Sequence, residues 1–270
     1  GTVVLGALAT HNDVIASPLC VQHVFPLAQA CWEVGAPPIR TRGTIVGNLV
    51  TASPANDTIT PLMALDAVLV LESVRGLRAV PLRSFYTGVR RTVLAPDELV
   101  REVRVPMLQP NERGIFLKLG LRRAQAIAVV NVAVVLALGG SRVERAAIAL
   151  GSVAPTIVRA TAAEQALVGR ALDPVTIAEV AELAAQAASP IDDIRGSAWY
   201  RFHAVRVLVQ EALERLANGR EREGWPDRPV LLELRRDPPP IRPFAGSIEV
   251  TVNGEPVLLS RSSKIGRAHV

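Results

Sequence analysis

The sequence has 270 residues, 49% of them hydrophobic, enough to bury a sizeable core as two domains or as one domain with an appendage. The formal charge is +5, but the arginines are scattered, adjoin at most in pairs such as Arg90-Arg91 and Arg122-Arg123, and do not interleave with base-stacking aromatics, so nucleic acid is not an expected partner. The longest apolar run, 126–138, is broken by Asn131 and too short to cross a bilayer, and Cys20 and Cys31 form neither a disulfide framework nor a metal motif, so the expectation is a cytoplasmic protein with no membrane span and no metal ligands of its own.

In chain order, TVVLGAL at the start reads as a strand and PLCVQHVFPLAQACWEVG as one amphipathic helix ended by Gly35. AVLVLES and LRAVPL read as strands flanking a turn at Arg75-Gly76, and PDELVREVRVP as an extended strand running into Pro106. From Phe116 the pattern changes. FLKLGLRR, AIAVVNVAVVLAL and ERAAIALGSV read as three neighbouring strands with the middle one buried. Helices follow at TAAEQALVG, DPVTIAEVAELAAQA and SAWYRFHAVRVLVQEALERLA; Ser197 is the expected N-cap of the last, and Ala198, Phe202, Val205, Val209, Ala212, Leu213 and Leu216 its core stripe. Residues 218–246, rich in Arg, Glu and Pro, read as a partly extended linker. SIEVTVNGEPVLL then reads as a hairpin turning at Asn253-Gly254.

One stretch, TRGTIVGNLVTASPANDT at 41–58, has few side chains large enough to fill a core. Gly43 and Gly47 let backbone approach a ligand closely and can adopt positive φ. Thr44, Asn48, Thr51 and Ser53 supply short polar groups for phosphate or sugar oxygens, Asp57 can accept from ribose or ribityl hydroxyls, and exposed N–H groups would form an anion nest. The spacing is neither a dinucleotide fingerprint nor a P-loop, so these residues by themselves specify only a ligand-binding loop or a bland surface turn.

GAPPIRTRGTIVGNLVTASPANDT followed by PLMALDAVLVL resembles the second flavin-binding segment of the FAD-binding medium subunit of molybdenum hydroxylases, the carbon monoxide, xanthine and aldehyde dehydrogenase family. The likeness continues through VPLRSFYTGVRRTVLAPDELVREVRVP and KLGLRRAQAIAVVNVAVVL, and closes with DIRGSAWYRFH, similar to the family's C-terminal signature. The resemblance implies an α+β fold: a two-lobed FAD-binding domain over 1–108 with its N-terminal lobe missing, then a flavoprotein C-terminal domain over 109–217, a three-stranded antiparallel sheet with helices. It implies that Gly43, Thr44, Ile45, Gly47 and Asn48 lie along the pyrophosphate and flavin, with Thr51 beside them. Asp57 would bind sugar or ribityl hydroxyls, Val100 and Lys118 would flank the ring system, and Lys118 would stabilise negative charge on reduced flavin.

The family carries two glycines where this sequence has Val46-Gly47, so Val46 is expected to point away from the cofactor. A Gly-Gly FAD loop expected upstream is absent, and Gly1 is not methionine, which implies a fragment holding half a cofactor site. Residues 247–263 resemble the start of a truncated [2Fe-2S] ferredoxin-like domain, and KIGRAHV at 264–270 resembles a translated sequencing adapter and is set aside. The implied protein passes electrons from iron-sulfur clusters through FAD to an acceptor such as NAD or a quinone. The partners implied are a molybdenum-cofactor large subunit and a [2Fe-2S] small subunit, the latter expected as a C-terminal fusion. Those metal cofactors belong to missing or partner segments. No catalytic residue is assigned, and His11, His23 and His203 read as packing or capping residues. The alternatives are a stand-alone FAD oxidoreductase of the UDP-N-acetylenolpyruvylglucosamine reductase type and a flavin-free interaction module.

Overall fold

The computed structural model describes residues 1–122 and 124–232 in full, together with the backbone of Ile248–Val252 and Glu255–Leu259. Gly1–Glu233 is one compact unit, and the expected division at 108–109 marks a change of sheet within it. The chain opens with β1 (Thr2–Gly6) and the short helices α1 (His11–Ala16), α2 (Pro18–His23), α3 (Phe25–Glu33), α4 (Pro37–Arg40), α5 (Ile45–Val50) and α6 (Ile59–Ala64). Then come β2 (Val68–Ser73), β3 (Gly76–Pro81), β4 (Tyr86–Gly88), β5 (Arg91–Thr92) and β6 (Leu99–Pro106). The second half comprises β7 (Glu112–Gly120), β8 (Ala128–Gly139), β9 (Arg142–Gly151), β10 (Val158–Arg159), α7 (Thr161–Leu167), α8 (Pro174–Gln186) and α9 (Ala198–Ala217).

The single helix expected over 18–35 is divided in two. Pro26 has no N–H to continue the helical ladder, so α2 ends at His23, Val24 leaves helical geometry at φ −133° and ψ 44°, and α3 restarts with the proline in its first turn. Gly35, at φ +49°, closes the segment as expected.

The first sheet is antiparallel in the order β1-β6-β2-β3, and the second is antiparallel in the order β10-β9-β8-β7. Strand β8 is the key to their relation. Its side chains are buried on both faces, which is why its sequence is an almost continuous apolar run. Alternation along the strand splits them: Ala133 and Val135 join a core that includes Leu5, Leu27, Ile45, Leu49, Leu69 and Val103, whereas Val132, Val134 and Leu136 join one formed with α7, α8 and α9. The second sheet is thus the shared wall of two cores.

Helix α9 is capped by Ser197, whose hydroxyl accepts from the Tyr200 N–H, as its sequence foretells. Its stripe also contains Arg201, only 1% exposed, bonded to the Ser152 carbonyl and to Asp193. Asp193 in turn holds Arg195, and these two cations depress its carboxyl well below the usual range.

The expected linker does not begin at 218. Residues 218–232 lie against the first core: Trp225 meets Phe25 and Trp32 edge-on at ring-centroid distances of 5.3 and 6.3 Å, Arg222 stacks on Phe25, and Gln29 donates to the Glu221 carbonyl. Aromatic area rather than chain polarity decides the path here. The rest of that stretch, 233–246, lies outside the described residues, as do Arg123, the Asn253-Gly254 turn and the 264–270 tail. In the second unit, β11 (Ile248–Val252) pairs antiparallel with β12 (Glu255–Leu259), Val252 opposite Glu255.

Candidate functional site

The small-residue stretch is a turn, a short helix and a second turn. Its helix α5 is seated by Ile45 and Leu49, one helical turn apart and both fully buried, while Gly47 stays exposed. The Thr44 hydroxyl caps it by accepting from Gly47 N at 2.9 Å. Neither Gly43 nor Gly47 has positive φ; in this stretch only Ala52 does, at 49°. What the glycines supply is space. A Cβ on Gly47 would stand 2.9 Å from the Thr44 hydroxyl, and one on Gly43 would stand 3.1 Å from both His11 Cδ2 and the Ile39 carbonyl. Val46 packs partly against the first core.

Much of the expected anion nest is already committed. The N–H groups of Gly43, Ile45 and Asn48 donate to the carbonyls of Ile39, Ala9 and Thr44, respectively; those of Thr44 and Val46 take no part in these bonds. Ile45, expected along a cofactor, has its side chain in the core and offers only backbone. Asn48 and Thr51 belong to a network that shapes 48–58: the Asn48 carbonyl accepts from Asn56 Nδ2 at 2.6 Å and Thr51 Oγ1 at 3.0 Å, and the Asn48 side-chain oxygen accepts from Thr58.

At the end of that network, Asp57 meets Lys118 on β7. Lys118 Nζ donates to Asp57 Oδ2 at 2.6 Å and to the Glu33 carbonyl at 2.9 Å, and the two side chains are 4% and 8% exposed. Asn131, opposite Lys118 in the β7–β8 register, donates to Asp57 Oδ1 at 3.2 Å and accepts from Thr60 at 2.6 Å. Burial pushes the Asp57 carboxyl up to about 6, against the pull of Lys118 and Asn131. The group is therefore a buried, hydrogen-bonded charge pair set in low dielectric, with two acceptors on the Lys118 ammonium.

Among the expected site residues, Asp57 and Lys118 are in direct contact, and Gly43, Thr44, Ile45, Gly47, Asn48 and Thr51 form the continuous segment leading to them. Val100 stands apart in β6, opposite Leu71 and buried in the first core. A cavity of about 630 Å³ lies between α3, β7, α9 and the 220–225 segment, with Trp32, Glu33, Phe116, Lys118 and Trp225 on its walls. Lys118 lines it and the residues 43–58 do not.

Three buried polar residues beside this segment were not expected there from the sequence. Asn131 had a signal, being a lone polar residue inside a buried apolar strand, where its amide needs partners. Arg40 gave none, and His11, read as a packing or capping residue, is packed inside. Both are buried: Arg40 Nη1 donates to the Trp32 and Val34 carbonyls and its guanidinium lies 4.7 Å over Trp32, while its Nε and the Nδ1 of His11 are unpartnered. His203 does pack, on Trp199. Among the described residues no cluster of metal-ligand type is present, and no helix is long and apolar enough to cross a membrane.

Two family models match this chain. Residues 1–108 match the FAD binding domain in molybdopterin dehydrogenase, and residues 116–216 the CO dehydrogenase flavoprotein C-terminal domain. The carbon monoxide dehydrogenase medium chain of Hydrogenophaga pseudoflava is 34% identical over 212 residues, spanning 78% of this chain and 74% of that one. The glyceraldehyde dehydrogenase medium chain of Sulfolobus acidocaldarius is 31% identical over 215 residues, spanning 80% and 76%. Among solved structures, carbon monoxide dehydrogenase from Hydrogenophaga pseudoflava lacking the Mo-pyranopterin moiety superposes with a TM-score of 0.78 at 36% identity, covering 81% of this chain and 76% of that chain. Quinoline 2-oxidoreductase from Pseudomonas putida 86 gives 0.77 at 29%, covering 82% and 76%.

Proposed function

The chain belongs to the FAD-binding medium subunits of the molybdenum hydroxylase family, of carbon monoxide and xanthine dehydrogenase type, and we propose that it relays electrons inside a complex of that kind. It is an FAD-containing oxidoreductase subunit. Its proposed partners are a molybdenum-bearing large subunit and an iron-sulfur small subunit, with residues 247–263 as the start of a fused iron-sulfur module.

The residues present fit FAD. At Gly43 a Cβ would stand 3.1 Å from the His11 ring and the Ile39 carbonyl, so glycine keeps side-chain bulk out of the turn, and Lys118 is a buried cation on the wall of a cavity. When bound, FAD supplies the redox chemistry, accepting electrons singly from iron-sulfur centres and passing a pair to an acceptor such as NAD or a quinone. The protein's own task is to hold and to polarise. Gly43, Thr44, Ile45, Gly47 and Asn48 would offer backbone and short polar groups to the pyrophosphate and flavin, with Thr51 beside them. Val100 would contribute an apolar wall near the ring system. Asp57 would accept hydrogen bonds from sugar or ribityl hydroxyls while ionised, and Lys118 would stabilise negative charge on the reduced ring.

The buried Lys118–Asp57 pair carries this reading, because a lysine held out of solvent beside a cavity stabilises an anion far more than an exposed one does. The test is purification of the full-length protein with its partners, release of the flavin, and titration of the stripped protein with FAD. Bound FAD whose visible absorption bleaches when the complex meets its reducing substrate is the expected result. A colourless protein that takes up no FAD would remove the reading. Lys118→Gln is expected to weaken FAD binding by roughly tenfold or more, as loss of a charge-assisted contact does.

A further inference from the structure

We infer that His11 is a further cofactor-contacting residue, presenting its Nε2–H through the gap left by Gly43 to an oxygen of bound FAD; this rests on the FAD reading above. The imidazole is 2% exposed, and neither ring nitrogen has a hydrogen-bond partner among the described residues, Nδ1 being wholly enclosed. Buried polar groups are ordinarily paired, and Nε2, the ring nitrogen that is unbonded but not wholly enclosed, is the one that a partner from outside the protein can reach.

Geometry says from which side. The His11 main chain is tied to the turn, its N–H donating to the Gly43 carbonyl at 3.0 Å. The ring then lies directly behind Gly43: a Cβ there would stand 3.1 Å from Cδ2 and 3.4 Å from Nε2. Any other residue at position 43 would put side-chain atoms against the ring edge, so with glycine only backbone of the proposed cofactor segment lies beside Cδ2 and Nε2. The charge state agrees. Burial and the neighbouring Arg40 cation lower the His11 pKa to about 4, so the ring is neutral at physiological pH. A neutral imidazole carries one N–H, and placing it on Nε2 leaves the enclosed Nδ1 as a bare acceptor, which costs less than an enclosed unpaired donor. His11 is thus a neutral donor that does not add charge beside Arg40.

The test compares four forms of the full-length protein, stripped of flavin and titrated with FAD while flavin fluorescence is followed: wild type, His11→Gln, His11→Asn and His11→Phe. The Gln amide nitrogen reaches to the position of Nε2, the Asn amide only to that of Nδ1, and Phe keeps the ring without nitrogen. Wild type and His11→Gln are expected to bind alike, and the other two roughly tenfold more weakly. Equal binding by all four forms would overturn the inference and leave the FAD reading intact, as would a Gln variant as weak as Phe. Failure of wild type to bind FAD would end both. If the Phe variant does not fold, the Gln and Asn pair decides, since both introduce the same amide group.

Discussion

At the scale of single residues, two buried ionisable groups near the proposed site pull stability in opposite directions with pH. Asp57 is raised from 3.8 to about 6, so the stability it contributes is fully present below pH 3.8 and is lost as pH rises through 6. His11 is lowered from 6.5 to about 4, so its contribution is present above pH 6.5 and is lost as pH falls through 4. Each effect is at most about 3 kcal/mol, so the two nearly cancel between pH 4 and 6. Denaturant unfolding should therefore show Asp57→Asn losing stability relative to wild type as pH falls across that window. His11→Gln should lose it as pH rises. Variants that track the wild-type curve in parallel would show that neither group titrates as the buried geometry requires. The residue types differ in how readable they are. Asp57 and Lys118 stand inside ordered sequence blocks shared with a family, whereas the importance of His11 depends on a glycine 32 positions away, and no local pattern connects the two.

At the scale of elements, the strands of the second sheet are set by composition and their exact approach by one glycine. Asn131 and Gly151 face each other across β8 and β9, and a Cβ on Gly151 would fall 2.0 Å from Asn131 Oδ1 and 2.5 Å from Thr60 Oγ1. Those two atoms are bonded to each other and hold the Asn131 amide whose Nδ2 donates to Asp57, so Gly151→Ala must push Asn131 out of place. The expected cost is about 2 kcal/mol or more in unfolding free energy, from overpacking together with a disturbed buried network, and FAD binding should weaken with it. A variant with unchanged stability and unchanged FAD titration would show that the strands can separate without penalty. Strand positions were legible because the 116–153 runs are apolar and β-branched. The break between α2 and α3 was also in the sequence, at Pro26, but amphipathic spacing continues across it and hides the interruption.

For the whole molecule, the controlling feature is the sheet shared by two cores, which joins the 1–108 and 109–217 segments within one compact unit, 1–233. The 218–232 segment adds a strap across the first core, fastened by Trp225 between Phe25 and Trp32. Trp225→Ala should speed tryptic cleavage at Arg220, Arg222 or Arg228 and lower stability by about 1–3 kcal/mol, less than a fully buried tryptophan would, because Trp225 is only partly enclosed. Unchanged cleavage would mean that the Gln29 and Arg222 contacts hold the strap without it.

Local sequence was enough to set the class of fold, the order of most strands and helices and the N-cap of α9, and to single out 41–58 as the segment proposed for the flavin. Each of these follows from neighbours along the chain, through periodicity, turn chemistry and ordered motifs. Tertiary packing alone makes Lys118 and Asp57 a buried pair bridged to Asn131, puts the Ile45 and Val100 side chains in the first core, and docks 218–232. Those outcomes depend on which faces meet across sixty to two hundred residues of chain, and the free energy of burial that selects among them has no local signature.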